Sequence, residues 1–157
     1  MTCSTFALVE ALRLASSGSR CTHSVRKASQ SRPGAFLASG CGTDHLAPEA
    51  ARSVDDVIRA YEDQMAAIEA LGGRLIVMAS RALARVATGP ADYERVYDRV
   101  LSQAREPVIL HWLGDMFDPA LKGYWGSADT RAAMDTALGI IAASLAAACL
   151  RLEREEI

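Results

Sequence analysis

A chain of 157 residues, 50% hydrophobic and 23% charged, has room for one globular domain with a substantial core. A net charge of -2 and a pI near 5.9 provide no positive field to recruit nucleic acid or an anionic membrane, so neither is expected as a partner. Cys3, Cys21, Cys41 and Cys149 are scattered without a C-x-x-C pair; this signals neither a zinc site nor a disulfide framework and fits a reducing cytoplasm.

In residues 1–33, Arg13, Arg20, Arg26, Lys27 and Arg32 face only Glu10, and seven serines occur up to Ser31. An Arg- and Ser-rich, acid-poor start is also the composition of an organelle transit peptide. We read 1–33 instead as a divergent or poorly ordered segment that follows one short helix near residues 5–15. Residues 34–127 then alternate between two periods. The apolar run 35–39 reads as a strand stopped by Gly40-Cys-Gly42. Ser53 and Asp56 make a capping box, and Val54, Val57, Ile58, Tyr61, Met65, Ile68 and Leu71 continue as a helical stripe, so a helix is expected over 53–71, ended by Gly72-Gly73. A second strand is expected at 75–79. A second helix over 91–104 carries Tyr93, Val96, Tyr97 and Val100 on one face, and a third strand follows Pro107 at 108–112. The segment 128–157 reads as a C-terminal Ala-rich helix, whose uncharged run 137–150 has the length of a buried or interfacial helix rather than of a membrane span. Apolar strands separated by helices of this length are the pattern of parallel, right-handed β-α-β units with both strand faces covered. Both helices are expected on one outer face of the sheet.

The chain has two tryptophans, four tyrosines and three phenylalanines, and Trp112, Phe117, Tyr124 and Trp125 crowd into one stretch, marking a place where something is bound or packed. His111 ends the third strand, where barrel enzymes put their chemistry, and Asp115 is near enough in sequence to orient its imidazole. The pair reads as general base and orienter, with a histidine hydrogen-bonded inside the sheet mouth as the alternative. Asp44 and His45 follow the first strand, at the same end, as substrate-binding candidates, against a plain turn. Arg81, past the second strand, suits bidentate capture of a substrate carboxylate, against a surface ion pair. Trp112 completes the substrate-binding set. Asp44, His45, His111 and Asp115 have no recognised metal spacing, so neither a metal nor a cofactor is expected. Cys41 reads as a small buried residue rather than a reactive thiol.

Three motifs carry a wider likeness: Ser39-Gly-Cys-Gly-Thr-Asp-His-Leu46, Leu75-Ile-Val-Met-Ala-Ser-Arg-Ala82, and above all Ile109-Leu-His-Trp-Leu-Gly-Asp-Met-Phe-Asp-Pro119 with Gly123-Tyr-Trp-Gly-Ser127. Together with Asp56-Val-Ile-Arg-Ala-Tyr-Glu62, they make residues 37–127 resemble a central part of dihydrodipicolinate-synthase-like proteins of the class I aldolase superfamily, closest to an uncharacterised bacterial branch. The resemblance implies a (β/α)8 TIM barrel acting on small oxo acids, with these strands roughly its third, fourth and fifth. Such a barrel takes roughly 250 residues, so the expectation is an α/β partial barrel, incomplete at both ends.

The departures shape the functional expectation. The superfamily's Schiff-base lysine belongs on the sixth strand, whereas this chain has only Lys27, in the basic stretch, and Lys122, in the loop after the third strand. Ala79-Ser-Arg81 stands where the synthases close the fourth strand with a proton-relaying tyrosine, and the threonine pair expected upstream is missing from 1–33. The chain is therefore expected to be a fragment of an aldolase- or lyase-type protein for a small oxo acid, not catalytically competent alone. The alternative is a non-catalytic α/β fragment that serves as a partner subunit or has no function. Half a barrel would leave two unpaired sheet edges and one uncovered strand face, which predict self-association.

Overall fold

The computed structural model describes residues 37–112 and 114–155; the helix expected near residues 5–15 lies outside them. Strands β1 (Ala38–Cys41), β2 (Arg74–Met78) and β3 (Ile109–His111) form one open parallel sheet in the order β1-β2-β3. Helix α1 (Val54–Glu69) joins β1 to β2, and α2 (Arg81–Val86) and α3 (Pro90–Gln103) join β2 to β3. Two single 3-10 turns, Pro119–Leu121 and Tyr124–Gly126, precede the long α4 (Thr130–Glu155). The parallel α/β arrangement and the two connecting helices agree with the periodicity of the sequence.

Local chemistry explains the boundaries. The Ser53 hydroxyl accepts from the Asp56 amide at 3.3 Å, and Asp56 Oδ2 accepts from the Ser53 amide at 3.0 Å, closing the capping box of α1. Past its end, Gly72 adopts φ 73, and the Gly73 amide donates back to the Ile68 carbonyl at 3.1 Å, which sends the chain directly into β2. Pro90 opens α3, where its missing N–H costs nothing, and Asp92 accepts from the Thr88 amide at 2.7 Å.

Two expectations need correction. The first strand is not stopped by Gly40-Cys-Gly42 but runs through Gly40 and Cys41, because parallel pairing with β2 supplies the backbone partners that glycine's flexibility made doubtful. Helix α2 was not expected: the Ser80 hydroxyl caps it by accepting from the Leu83 amide at 3.0 Å, and the turn buries Ala82 and Leu83. The strands are covered on one face only, as half a barrel with both helices on one side requires, although complete β-α-β units would cover both. Ser39, Cys41, Leu75 and Val77 are buried beneath the helices, whereas Arg74, Ile76, Met78 and His111 are only partly covered and Ile109 is 57% exposed.

The core lies between the buried sheet face and α1 and α3, around Val57, Tyr61, Ile68, Val96, Tyr97 and Val100. Burial of each aliphatic side chain of this kind contributes about 1.5–3 kcal/mol. Helix α4 enters the core through Ala133 and Ile140, while Leu138, Leu145, Leu150 and Leu152 stay exposed. It runs past the uncharged stretch through Arg131, Asp135 and Arg151, so by length and composition alone Thr130–Arg154 is long enough to cross a membrane.

Candidate functional site

In a parallel sheet every strand points its carboxyl end the same way, so the residues following β1, β2 and β3 gather along one edge of the molecule. There the Thr43 and Ser80 hydroxyls, both buried, meet at 2.5 Å. Next in the chain, Arg81 is exposed and donates through Nε to Asp118 Oδ2 at 2.6 Å. This bond, first of all, raises the guanidinium pKa, with the Asp44 carboxylate adding to the effect, and it holds Asp118 below the usual carboxylate range. Among the described residues nothing accepts from the terminal nitrogens of Arg81. Arg81 therefore presents its terminal donors at the strand-end edge, braced through Nε, an arrangement suited to a planar oxyanion.

A chain of tyrosines sets the exit of β2. The Tyr61 hydroxyl donates to the Met78 carbonyl at 2.5 Å, and the Ser80 amide donates to the Tyr124 hydroxyl at 3.0 Å. Tyr124 and Tyr97 hydroxyls lie 2.9 Å apart, and the Tyr97 ring packs on that of Tyr61 with centroids 6.4 Å apart. The bonds from Tyr61 to the Met78 carbonyl and from the Ser80 amide to Tyr124 hold Ala79 between two fixed backbone points. Burial, above all, pushes the pKa of all three phenols well up, so they remain neutral donors.

Trp125 closes this region at φ 70, between Gly123 at 75 and Gly126 at 83. A left-handed tryptophan is strained, by an amount on the order of 1–3 kcal/mol. Ring contacts offset the strain: the indole lies 4.6 Å from Tyr97, 5.2 Å from Tyr124 and 6.3 Å, edge to face, from Trp112. Gly126 has to be glycine, since a Cβ there would meet the Pro90 nitrogen at 2.5 Å.

The expected site residues divide accordingly. Arg81 and Asp44 are close enough to interact electrostatically at the strand ends. His111 lies there too, in register with Met78, its Nδ1 buried with no hydrogen-bond partner among the described residues. Asp115 sits exposed in the turn after β3 and makes no bond to His111. His45 is exposed in the tight turn closed by the Leu46 amide on the Thr43 carbonyl. Trp112 is 36% exposed, and Phe117 points to solvent, so the aromatic cluster is partly core and partly surface. Sequence reasoning missed Thr43 and Ser80, marked Tyr124 only as one of the aromatic cluster, and gave Asp118 no role. The signal for Asp118 was its position before Pro119, the pattern of a capping residue, and its Oδ1 does accept from the Ala120 amide at 3.0 Å.

An open parallel sheet with polar side chains collected beyond the strand ends defines an α/β protein, a class in which ligands commonly bind at that edge. The chain belongs to a family described as "Protein of unknown function (DUF993)", whose profile matches residues 11–148. That match crosses both expected segment boundaries, after 33 and after 127. No curated protein matches the chain.

Proposed function

We propose that this chain is the central part of a dihydrodipicolinate-synthase-like barrel, and that its strand ends bind a small oxo acid. The observation that supports this reading is Arg81, held through Nε by Asp118 beside the Thr43–Ser80 hydroxyl pair. In this reading Arg81 takes the substrate carboxylate and His111 faces the reacting carbon as the base. Asp44, His45 and Trp112 line the rim, and Asp115 reaches His111 only on rearrangement of its turn. The cytoplasm is the proposed compartment, with no cofactor and no nucleic-acid or membrane partner. In this reading the chain alone does not act as a Schiff-base aldolase: Lys122 follows the turn Pro119–Leu121, whereas the aldolase superfamily's lysine is expected on a further strand.

Ligand-observed NMR with pyruvate provides the test. Binding is expected, and Arg81→Gln should weaken it by roughly ten- to a hundredfold, the value of a charged hydrogen bond. Borohydride should trap no adduct. Binding indifferent to Arg81→Gln, or stoichiometric labelling abolished by Lys122→Ala, would overturn the proposal. A second reading, a non-catalytic partner subunit, is supported by the uncovered sheet face and the exposed apolar side of α4. It predicts no pyruvate binding at all.

A further inference from the structure

Six positions on α4 follow one another at gaps of four, three, four, three and four residues: Met134, Leu138, Ile141, Leu145, Ala148 and Leu152. Alternating gaps of three and four are the seam of a two-helix coiled coil, and five of the six side chains are large and apolar. The seam is not turned into the core, which holds α4 through Ala133 and Ile140, a quarter turn away around the helix. Instead Met134, Leu138, Ile141, Leu145 and Leu152 are all exposed, Leu145 and Leu152 by 62% each. Beside Ile141, Leu145, Ala148 and Leu152 runs a groove of about 590 Å³, whose opposite wall is Leu101, Pro107, Val108 and Leu110. Seam and wall together leave an unfilled apolar trough along this half of α4.

We propose that this trough is filled by α4 of a second copy of the chain, packed antiparallel about a two-fold axis near residue 143. The spacing itself is symmetric about that point. Antiparallel pairing brings Met134 opposite Leu152 of the second copy, Leu138 opposite Ala148, and Ile141 opposite Leu145, so every layer pairs a seam residue with a seam residue. Charge selects the same orientation. Residues 136–150 are uncharged, Asp135 stands at one end of the seam and Arg151 at the other, and the antiparallel arrangement brings these opposite charges to the same end of the pair. A parallel pair would gather Asp135 with Asp135 and Arg151 with Arg151, and would align the two helix dipoles unfavourably. A lipid bilayer matches the surface less well: it has no use for a seam of fixed spacing and would need the whole helix free, whereas one side is held in the core. The trough is separate from the strand-end residues, so the inference stands whether or not the oxo-acid reading does.

Sedimentation equilibrium of the full chain across a dilution series tests the proposal. A dimer is expected, and Leu138→Lys with Leu145→Lys should weaken it roughly thirtyfold or more, the effect of losing hot-spot side chains. Both positions are exposed, so the far-ultraviolet circular dichroism should not change. Orientation is read by cross-linking in a Cys3→Ser, Cys21→Ser, Cys149→Ser background. Met134→Cys and Leu152→Cys proteins should form a disulfide when mixed and neither alone. A monomer at every concentration, a dimer unaffected by the lysine pair, or self-linking of the Met134→Cys protein alone would overturn the proposal. So would sedimentation with phosphatidylcholine vesicles that the lysine pair abolishes, since the occupant would then be lipid.

Discussion

Tyr124 shows how much one hydroxyl can hold. Its oxygen satisfies the buried Ser80 amide, and its hydroxyl lies 2.9 Å from that of Tyr97. Tyr124→Phe leaves that amide unpaired and is expected to destabilise the fold by about 1–3 kcal/mol, measurable as a lower urea midpoint with an unchanged slope. Because the same bonds position Ser80 and Arg81, the variant should also weaken any ligand of Arg81 in NMR titrations. Gly126→Ala, forced against Pro90 at φ 83, is expected to cost about 1–3 kcal/mol by the same measurement. At this scale Arg81 was legible from its place after an apolar strand. Asp118 was not, because proximity in sequence favoured Asp115 for His111 and said nothing of a carboxylate that reaches Arg81 from another loop.

The helices illustrate what local pattern encodes. Ser53→Ala should lower stability by about 1 kcal/mol through loss of the α1 cap. Carboxylates at helix starts and between helices also make the fold acid-sensitive. Asp56 is held below its usual range first by the Arg52 amide, Asp92 by the Thr88 amide, and Glu62 by Gln103, with Arg99 adding to it. A carboxyl whose folded pKa is depressed stabilises the fold above its unfolded value and loses that contribution as pH falls through the folded value. The melting temperature is therefore expected to drop as pH is lowered from about 5 toward 2, and Asp92→Asn should flatten the dependence. A melting temperature that stays constant or rises over that window would refute it. The capping box makes the start of α1 legible in the amino-acid pattern alone, whereas α2 is not, because Ser80 lacks the acidic partner that completes such a box.

On the scale of the molecule, a three-stranded sheet has one strand paired on both sides. Amide exchange should accordingly be slowest in β2, faster in β1 and β3, and an order reversed between centre and edges would contradict this strand pairing. The exposed seam of α4 is a large share of the exposed apolar surface among the described residues, so the Leu138→Lys, Leu145→Lys protein should be more soluble than the parent on concentration.

What the sequence determined by itself was the local part: the alternation of apolar runs and amphipathic stripes, the capped start of α1, the glycine exit into β2, and parallel strands that bring Asp44, Arg81 and His111 to one end. These follow from periodicity and backbone preferences within a few residues. Only the tertiary structure decided that Gly40 and Cys41 belong inside a strand, that the Tyr97 and Tyr124 hydroxyls meet, and that Arg81 rests on Asp118. Each of these joins residues far apart in the chain, and their pairing depends on how the helices seat on the sheet, which no local spacing encodes.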